Sequence, residues 1–146
     1  MSKKVLDMQK IMNGEVPPPP IARLIGAELV DVEEGKAVFE LECNTEKHAN
    51  PMGTIHGGIL CDIADMAMGV AFASTLETNE SFTTVELKIN YLKPVWNEKI
   101  IAKGEVMKRG NTIGLIKCDV FDEGGSLVAH ALSTCMILRG EKSAGR

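Results

Sequence analysis

The residues best placed to do chemistry lie in one stretch, Asn50-Pro51-Met52-Gly53-Thr54-Ile55-His56-Gly57-Gly58, and in Asp62 and Asp65 just beyond it. Adjacent glycines let backbone or ligand come close, because no Cβ stands in the way. A helix starting there leaves its first N–H groups without intrahelical acceptors, with the positive end of the dipole behind them. Such an end can hold an oxyanion or a polarised carbonyl oxygen. A carboxylate further along could then act as base or nucleophile. The chain has no G-x-S-x-G elbow and no Ser-His-Asp order, which argues against a serine hydrolase.

The elements that must position these groups follow from periodicity. The run from Ile59 to Thr75 reads as a long helix. At about 100° per residue, Ile59, Leu60, Ile63, Ala64, Ala67, Val70 and Ala71 share a broad apolar face. Gly58, Asp62, Asp65 and Gly69 gather on the opposite side. Upstream, Val5, Met8, Ile11 and Met12 predict a short amphipathic helix over Ser2 to Met12, ended by Asn13-Gly14. Pro17 to Pro20 then read as a stiff extended spacer that separates this helix from the body. Leu24 to Val32 and Ala37 to Cys43 predict a hairpin through Glu33-Glu34-Gly35-Lys36. Asn44 to Ile55 is a polar loop, long enough to be either functional or disordered.

Four strands are expected after the helix. Phe82 to Leu92 puts Val85, Leu87, Ile89 and Tyr91 on one face and Thr84, Glu86, Lys88 and Asn90 on the other. Lys99 to Met107 and Thr112 to Phe121 are joined by Lys108-Arg109-Gly110-Asn111, a good hairpin turn. Leu127 to Leu138 is almost continuously apolar and reads as a central strand covered on both faces. Antiparallel strands around a single helix make the class α+β. The divisions are a helix and proline linker over 1–20, one domain over 21–139, and a frayed polar tail over 140–146. Six strands cannot enclose so apolar a helix, so a homo-oligomer is expected, a dimer or a dimer of dimers.

Composition narrows the function classes. The 146 residues suit one domain, with 45% hydrophobic and 25% charged residues, the proportions of an ordinary globular chain. A formal charge of −4 disfavours a nucleic-acid surface. No apolar run has the roughly 20 residues needed to span a bilayer, so no membrane partner is expected. The first residues lack a signal-peptide core, and a cytoplasmic location is the default expectation. Cys43, Cys61, Cys118 and Cys135 are far apart in sequence, which predicts free buried thiols, with no disulfide scaffold and no metal site.

The pattern Asn50-x-x-Gly53-x-x-His56-Gly57-Gly58, with Asp65 eight positions after Gly57, resembles the hotdog-fold thioesterases. Within them it is similar to the PaaI-type (phenylacetate-degradation) and THEM2-like acyl-CoA thioesterases, over roughly Ile21 to Leu138. The resemblance implies a hotdog fold, an antiparallel sheet wrapped around one long helix, and hydrolysis of an acyl-CoA to acid and CoA without a cofactor. It implies that the Gly57 N–H polarises the thioester carbonyl, with the Asn50 amide nearby and His56 ordering the loop. Asp65 would be the catalytic carboxylate, reaching the site from the other subunit, with Thr84 holding it or a water. Gly58, Tyr91, the turn Lys108-Arg109-Gly110-Asn111-Thr112 and Arg139 fall where family members contact substrate or CoA. Direct attack by Asp65 and activation of water both stay open. So do a non-catalytic acyl-CoA sensor and, with less support, a hydratase or dehydratase on the same fold. Phe72, Phe82, Met52, Met66 and Met68 are candidates either for an acyl channel or for plain core.

Overall fold

A computed structural model describes all residues, 1–146. Its elements in chain order are α1 (Lys3–Met12), α2 (Pro20–Ile25), β1 (Ala27–Glu33), β2 (Lys36–Glu42), α3 (Thr45–His48), α4 (Gly57–Ala73), β3 (Glu80–Tyr91), β4 (Lys99–Arg109), β5 (Ile113–Asp122) and β6 (Leu127–Arg139). The six strands form one antiparallel sheet in the order β1-β2-β4-β5-β6-β3. This is the α+β hotdog architecture expected from the sequence: a sheet curled around one long helix.

The sheet wraps α4 because that helix is apolar and slim. Leu60, Ile63, Ala64, Ala67, Met68, Ala71 and Phe72 are buried, whereas Ile59 and Val70 are only half-buried. The buried face is therefore turned towards Met68 and Phe72 relative to the one expected. Both are fully enclosed core residues, not channel lining, and Phe72 meets Phe82 edge-on with ring centroids 5.5 Å apart. Gly104 of β4 lets α4 come this near, since a Cβ there would lie 2.4 Å from the Ala67 carbonyl oxygen.

Several local expectations are corrected. Pro20 does not end a spacer but occupies the first turn of α2, where a missing N–H costs nothing. Gly26, with φ +86°, closes that helix, and the first strand starts only at Ala27. The amino-terminal helix is not held apart from the body: Val5 is buried, and the Ser2 hydroxyl both caps α1 and donates to the Ser74 carbonyl. The loop before α4 contains α3, and the strand β6 lies second from the edge with its outer face half-exposed. Residues Gly140–Ser143 form a short 3-10 turn in the tail.

The two sheet edges differ. β1 is seven residues long, bulges near Val30 and is packed by α1. β3 is twelve residues long and pairs only with β6. Its register shifts at Val85, so one extra residue enters the strand between Thr84 and Glu86. The alternation expected from sequence slips by one there: Thr84 joins the face that carries Leu87, Ile89 and Tyr91. Val85 is left 58% exposed.

Candidate active site

The start of α4 is built from the sequence stretch that precedes it. Asn50 folds the loop on itself: its Oδ1 accepts from the N–H groups of Met52 (2.9 Å) and Thr54 (3.2 Å), and its Nδ2 donates to Thr54 Oγ1 (2.8 Å). One amide hydrogen of Asn50 remains for a ligand. The His48 carbonyl accepts from the His56 N–H at 2.8 Å, and a bridge between Ala49 and Ile55 closes the loop above it. His48 itself is structural, its Nδ1 accepting from the Asn44 N–H at 3.0 Å. His56 is the N-cap of α4, with Nδ1 accepting from the Gly58 N–H at 2.8 Å. Neutral His56 therefore carries its proton on Nε2.

The outcome is a free donor at the first residue of α4. The Gly58 N–H is taken by His56 Nδ1 and the Ile59 N–H by the His56 carbonyl at 3.0 Å. The Gly57 N–H has no acceptor in the protein. It sits at the mouth of a cavity of about 490 Å³ lined by Asn50, Thr54, Leu60, Tyr91 and Val95, among others. A helix-terminal N–H with the dipole behind it, in a residue that lines a cavity, suits an oxygen that gains negative charge. A second cleft of about 480 Å³, bordered by Arg23, Glu28, Glu42, Lys47 and Lys99, mixes charges of both signs and lies apart from this donor.

Asp65 is solvent-accessible in the single chain, but neighbouring atoms crowd it. Burial pushes its carboxyl above the ordinary range, the charge of Asp62 pushes the same way, and the Thr84 hydroxyl pulls against both. Asp62 is also raised by burial, with His56 opposing. Thr84 reaches Cys135 Sγ as well, at 3.7 Å. The bulge at Val85 puts Thr84 on the face of Leu87, Ile89 and Tyr91, and no periodicity in the sequence announces it. Within one chain, however, Asp65 and the Gly57 N–H stand too far apart to act on the same carbonyl. Eight helical residues separate them, a rise of about 12 Å.

The remaining candidates divide between two places. Tyr91 joins the Gly57 end, its hydroxyl donating to the Gly57 carbonyl at 2.9 Å. Arg109 and Arg139 meet at Glu80, at the other end of β3. Arg109 Nη2 donates to Glu80 Oε2 at 2.5 Å, while Arg139 donates to Oε1 from Nη2 at 2.5 Å and from Nε at 2.9 Å. Glu80 was not anticipated as their partner, and it lies 59 residues from Arg139 in sequence. Gly110 closes the β4–β5 turn through its N–H to the Ile113 carbonyl (2.9 Å), and Lys108, Asn111 and Thr112 are exposed on it. Eleven strand residues separate Glu80 from Tyr91, about 36 Å, so these groups are remote from Gly57 in the same chain. His130 pairs with Asp119 across β5 and β6 at 2.7 Å. All four cysteines are free, with Cys61 only half-buried. No helix is long and apolar enough to cross a membrane.

Comparison with known proteins agrees with this architecture. The family model of the thioesterase superfamily matches residues 52–129. The 1,4-dihydroxy-2-naphthoyl-CoA hydrolase of Listeria monocytogenes is 33% identical over 118 residues, covering 81% of this chain and 95% of that protein. Human acyl-coenzyme A thioesterase 13 is 30% identical over 108 residues, covering 73% of this chain and 76% of its own. The structure of the Escherichia coli PaaI protein from the phenylacetic acid degradation operon superposes with a TM-score of 0.82 at 19% identity, covering 94% of this chain and 98% of that one. With a free N–H at the head of its central helix and this sheet around it, the chain belongs to the thioesterase superfamily, an enzyme on the hotdog fold.

Proposed function

We propose that this enzyme hydrolyses acyl-CoA thioesters, with the Gly57 N–H as oxyanion donor and Asp65 of a second copy as nucleophile or general base. The observation that carries the proposal is the unpartnered N–H of Gly57 at the start of α4, in a residue that lines a cavity. Thioesters are activated acyl groups, so hydrolysis needs a donor for the developing oxyanion and one base or nucleophile. The spare Asn50 amide hydrogen can supplement the donor, and Thr84 can orient the carboxylate.

A shared site follows from distance. The roughly 12 Å between Gly57 and Asp65 along α4 is too long for one water to bridge, which supports a site drawn from two copies. The long free edge of β3 offers the means, because unpaired edges invite pairing. Antiparallel pairing of two β3 strands would bring the Glu80 end of one copy towards the Tyr91 end of the other. Lys108, Asn111, Thr112 and the unused donors of Arg109 and Arg139 would then stand near the partner's Gly57, suited to the phosphates of CoA. Gly110 would shape that turn, and Gly58 would leave room at the thioester.

The test is CoA release from a panel of acyl-CoAs. Release by the wild type that falls at least 100-fold in Asp65→Asn supports the proposal. No release from any thioester would leave a binding role standing instead. Mixing Asp65→Ala subunits with Gly57→Val subunits should restore part of the activity; mixed dimers without any rescue would refute the shared site.

A further inference from the structure

The peptide that joins Gly57 to Gly58 is held at both ends. Its carbonyl accepts from the Tyr91 hydroxyl at 2.9 Å, and its N–H donates to His56 Nδ1 at 2.8 Å. The Gly57 N–H belongs to the preceding peptide and stays free, so it points wherever this clamp turns the first residue of α4. A run of bonds from hydroxyl to peptide to imidazole also polarises each member in turn.

Position 57 has a further peculiarity. Gly57 is not among the glycines with positive φ, so its backbone conformation would accept any L-residue. Alanine is also the better helix former. What a side chain would meet is Tyr91: a Cβ at Gly57 would lie 2.9 Å from its Cζ, 3.0 Å from its hydroxyl oxygen and 3.2 Å from Cε1, so the ring would have to shift and its hydrogen bond to the Gly57 carbonyl with it. Tyr91 ends β3, its ring forming one wall of the cavity beside the Gly57 N–H. Burial and then the neighbouring Cys61 push its phenol up, so it remains a donor at neutral pH.

We propose that Tyr91 is the positioning residue of this turn: its hydroxyl clamps the Gly57–Gly58 peptide and thereby aims the Gly57 N–H and fixes the His56 tautomer, while its ring is the reason residue 57 is glycine. The catalytic half of this statement rests on the thioesterase reading above. The steric half does not.

Two measurements test the halves separately. For the hydroxyl, Tyr91→Phe should lower kcat on an acyl-CoA about tenfold, the size of one ordinary hydrogen bond, with KM within about twofold. The same variant should raise the Nδ1–H tautomer of His56 in ¹⁵N NMR spectra, a shift that a purely structural tyrosine would not cause. Wild-type kcat with an unchanged His56 spectrum would overturn the clamp. For the ring, Gly57→Ala is measured by thermal melting alone and beside Tyr91→Thr, a short side chain that suits a strand. Gly57→Ala should lower Tm in the wild-type background and leave it unchanged or raise it in Tyr91→Thr. Equal loss in both backgrounds would overturn the steric role. If no thioester is turned over by the wild type, the thioesterase reading fails, while the melting cycle still decides the Tyr91–Gly57 coupling.

Discussion

Asp65 and Glu80 are both carboxylates on elements that line the sheet's inner layer, yet their surroundings push them in opposite directions. Around Glu80 burial alone would raise the carboxyl, but the Glu77 N–H, Arg139 and Arg109 more than reverse it and hold it below the usual range. Around Asp65 burial and Asp62 act together against the charged form, with only Thr84 in opposition. One end of β3 is saturated: a buried carboxylate (side chain 4% exposed) with a donor on each oxygen. Beside Tyr91 the Gly57 N–H is a donor without an acceptor, and on α4 Asp65 is a carboxylate short of donors. Saturated groups hold a fold together, while unsatisfied ones are available to a substrate.

The contrast breaks most sharply at Asp65. Asp65→Asn should cost at least 100-fold in kcat, read from CoA release, yet should not lower the melting temperature. The ionised form is disfavoured in the fold, so removing the charge relieves strain at neutral pH; a rise of a degree or two is expected. A marked fall in Tm would place Asp65 with the structural carboxylates.

Glu80→Ala should do the reverse. It leaves two guanidiniums facing a hole, and breaking such a buried pair costs about 3 kcal/mol, the lower end of the usual range because both arginines reach solvent. For a chain of this size that is on the order of 10 °C in Tm. The folded enzyme, assayed well below that temperature, should retain kcat within about threefold. Loss of activity without loss of Tm would overturn the division.

The pH dependence should separate the two next. Glu80 has a folded-state pKa below its unfolded value, so its stabilisation is complete above the ordinary glutamate range. It is lost as pH falls through the depressed value. The Tm gap between wild type and Glu80→Gln should therefore close on acidification below about pH 4.5. Asp65 is raised, so the acid limb of kcat/KM should lie above the ordinary aspartate value. A limb at or below that value would remove Asp65 from the titrating role.

The smallest expected effect is at Thr84. Thr84→Val removes the one group that opposes the upward shift of Asp65, so the acid limb should move to higher pH with about a threefold loss at neutral pH. Thr84→Ser should behave as wild type. An unmoved limb in Thr84→Val would show that the threonine is there for its strand alone.

Much of this was legible locally. The span of α4, the strands β2 and β5 and the glycine turns depend on neighbours within a few residues, and those expectations match the structure to within a residue or two. The sequence also singled out the glycine pair and the aspartate eight positions on as candidates, and their roles stand as part of the proposal. Thr84 was not placed correctly, because a bulge at Val85 leaves no trace in periodicity and flips a face. Nor was Pro20, whose fixed φ suits a spacer and a first helical turn equally.

By itself the sequence determined the element order, the helix that the sheet must cover, and which residue types could polarise a carbonyl or supply a carboxylate. These are short-range matters of period, propensity and chemical type. Only the tertiary structure decided that the Gly57 N–H stays free, that Tyr91 and not the backbone is what a side chain at Gly57 would meet, and that Glu80 gathers both Arg109 and Arg139. Those outcomes depend on strand register and on contacts between residues dozens of positions apart, where a shift of one residue changes which groups are satisfied and which are left to react.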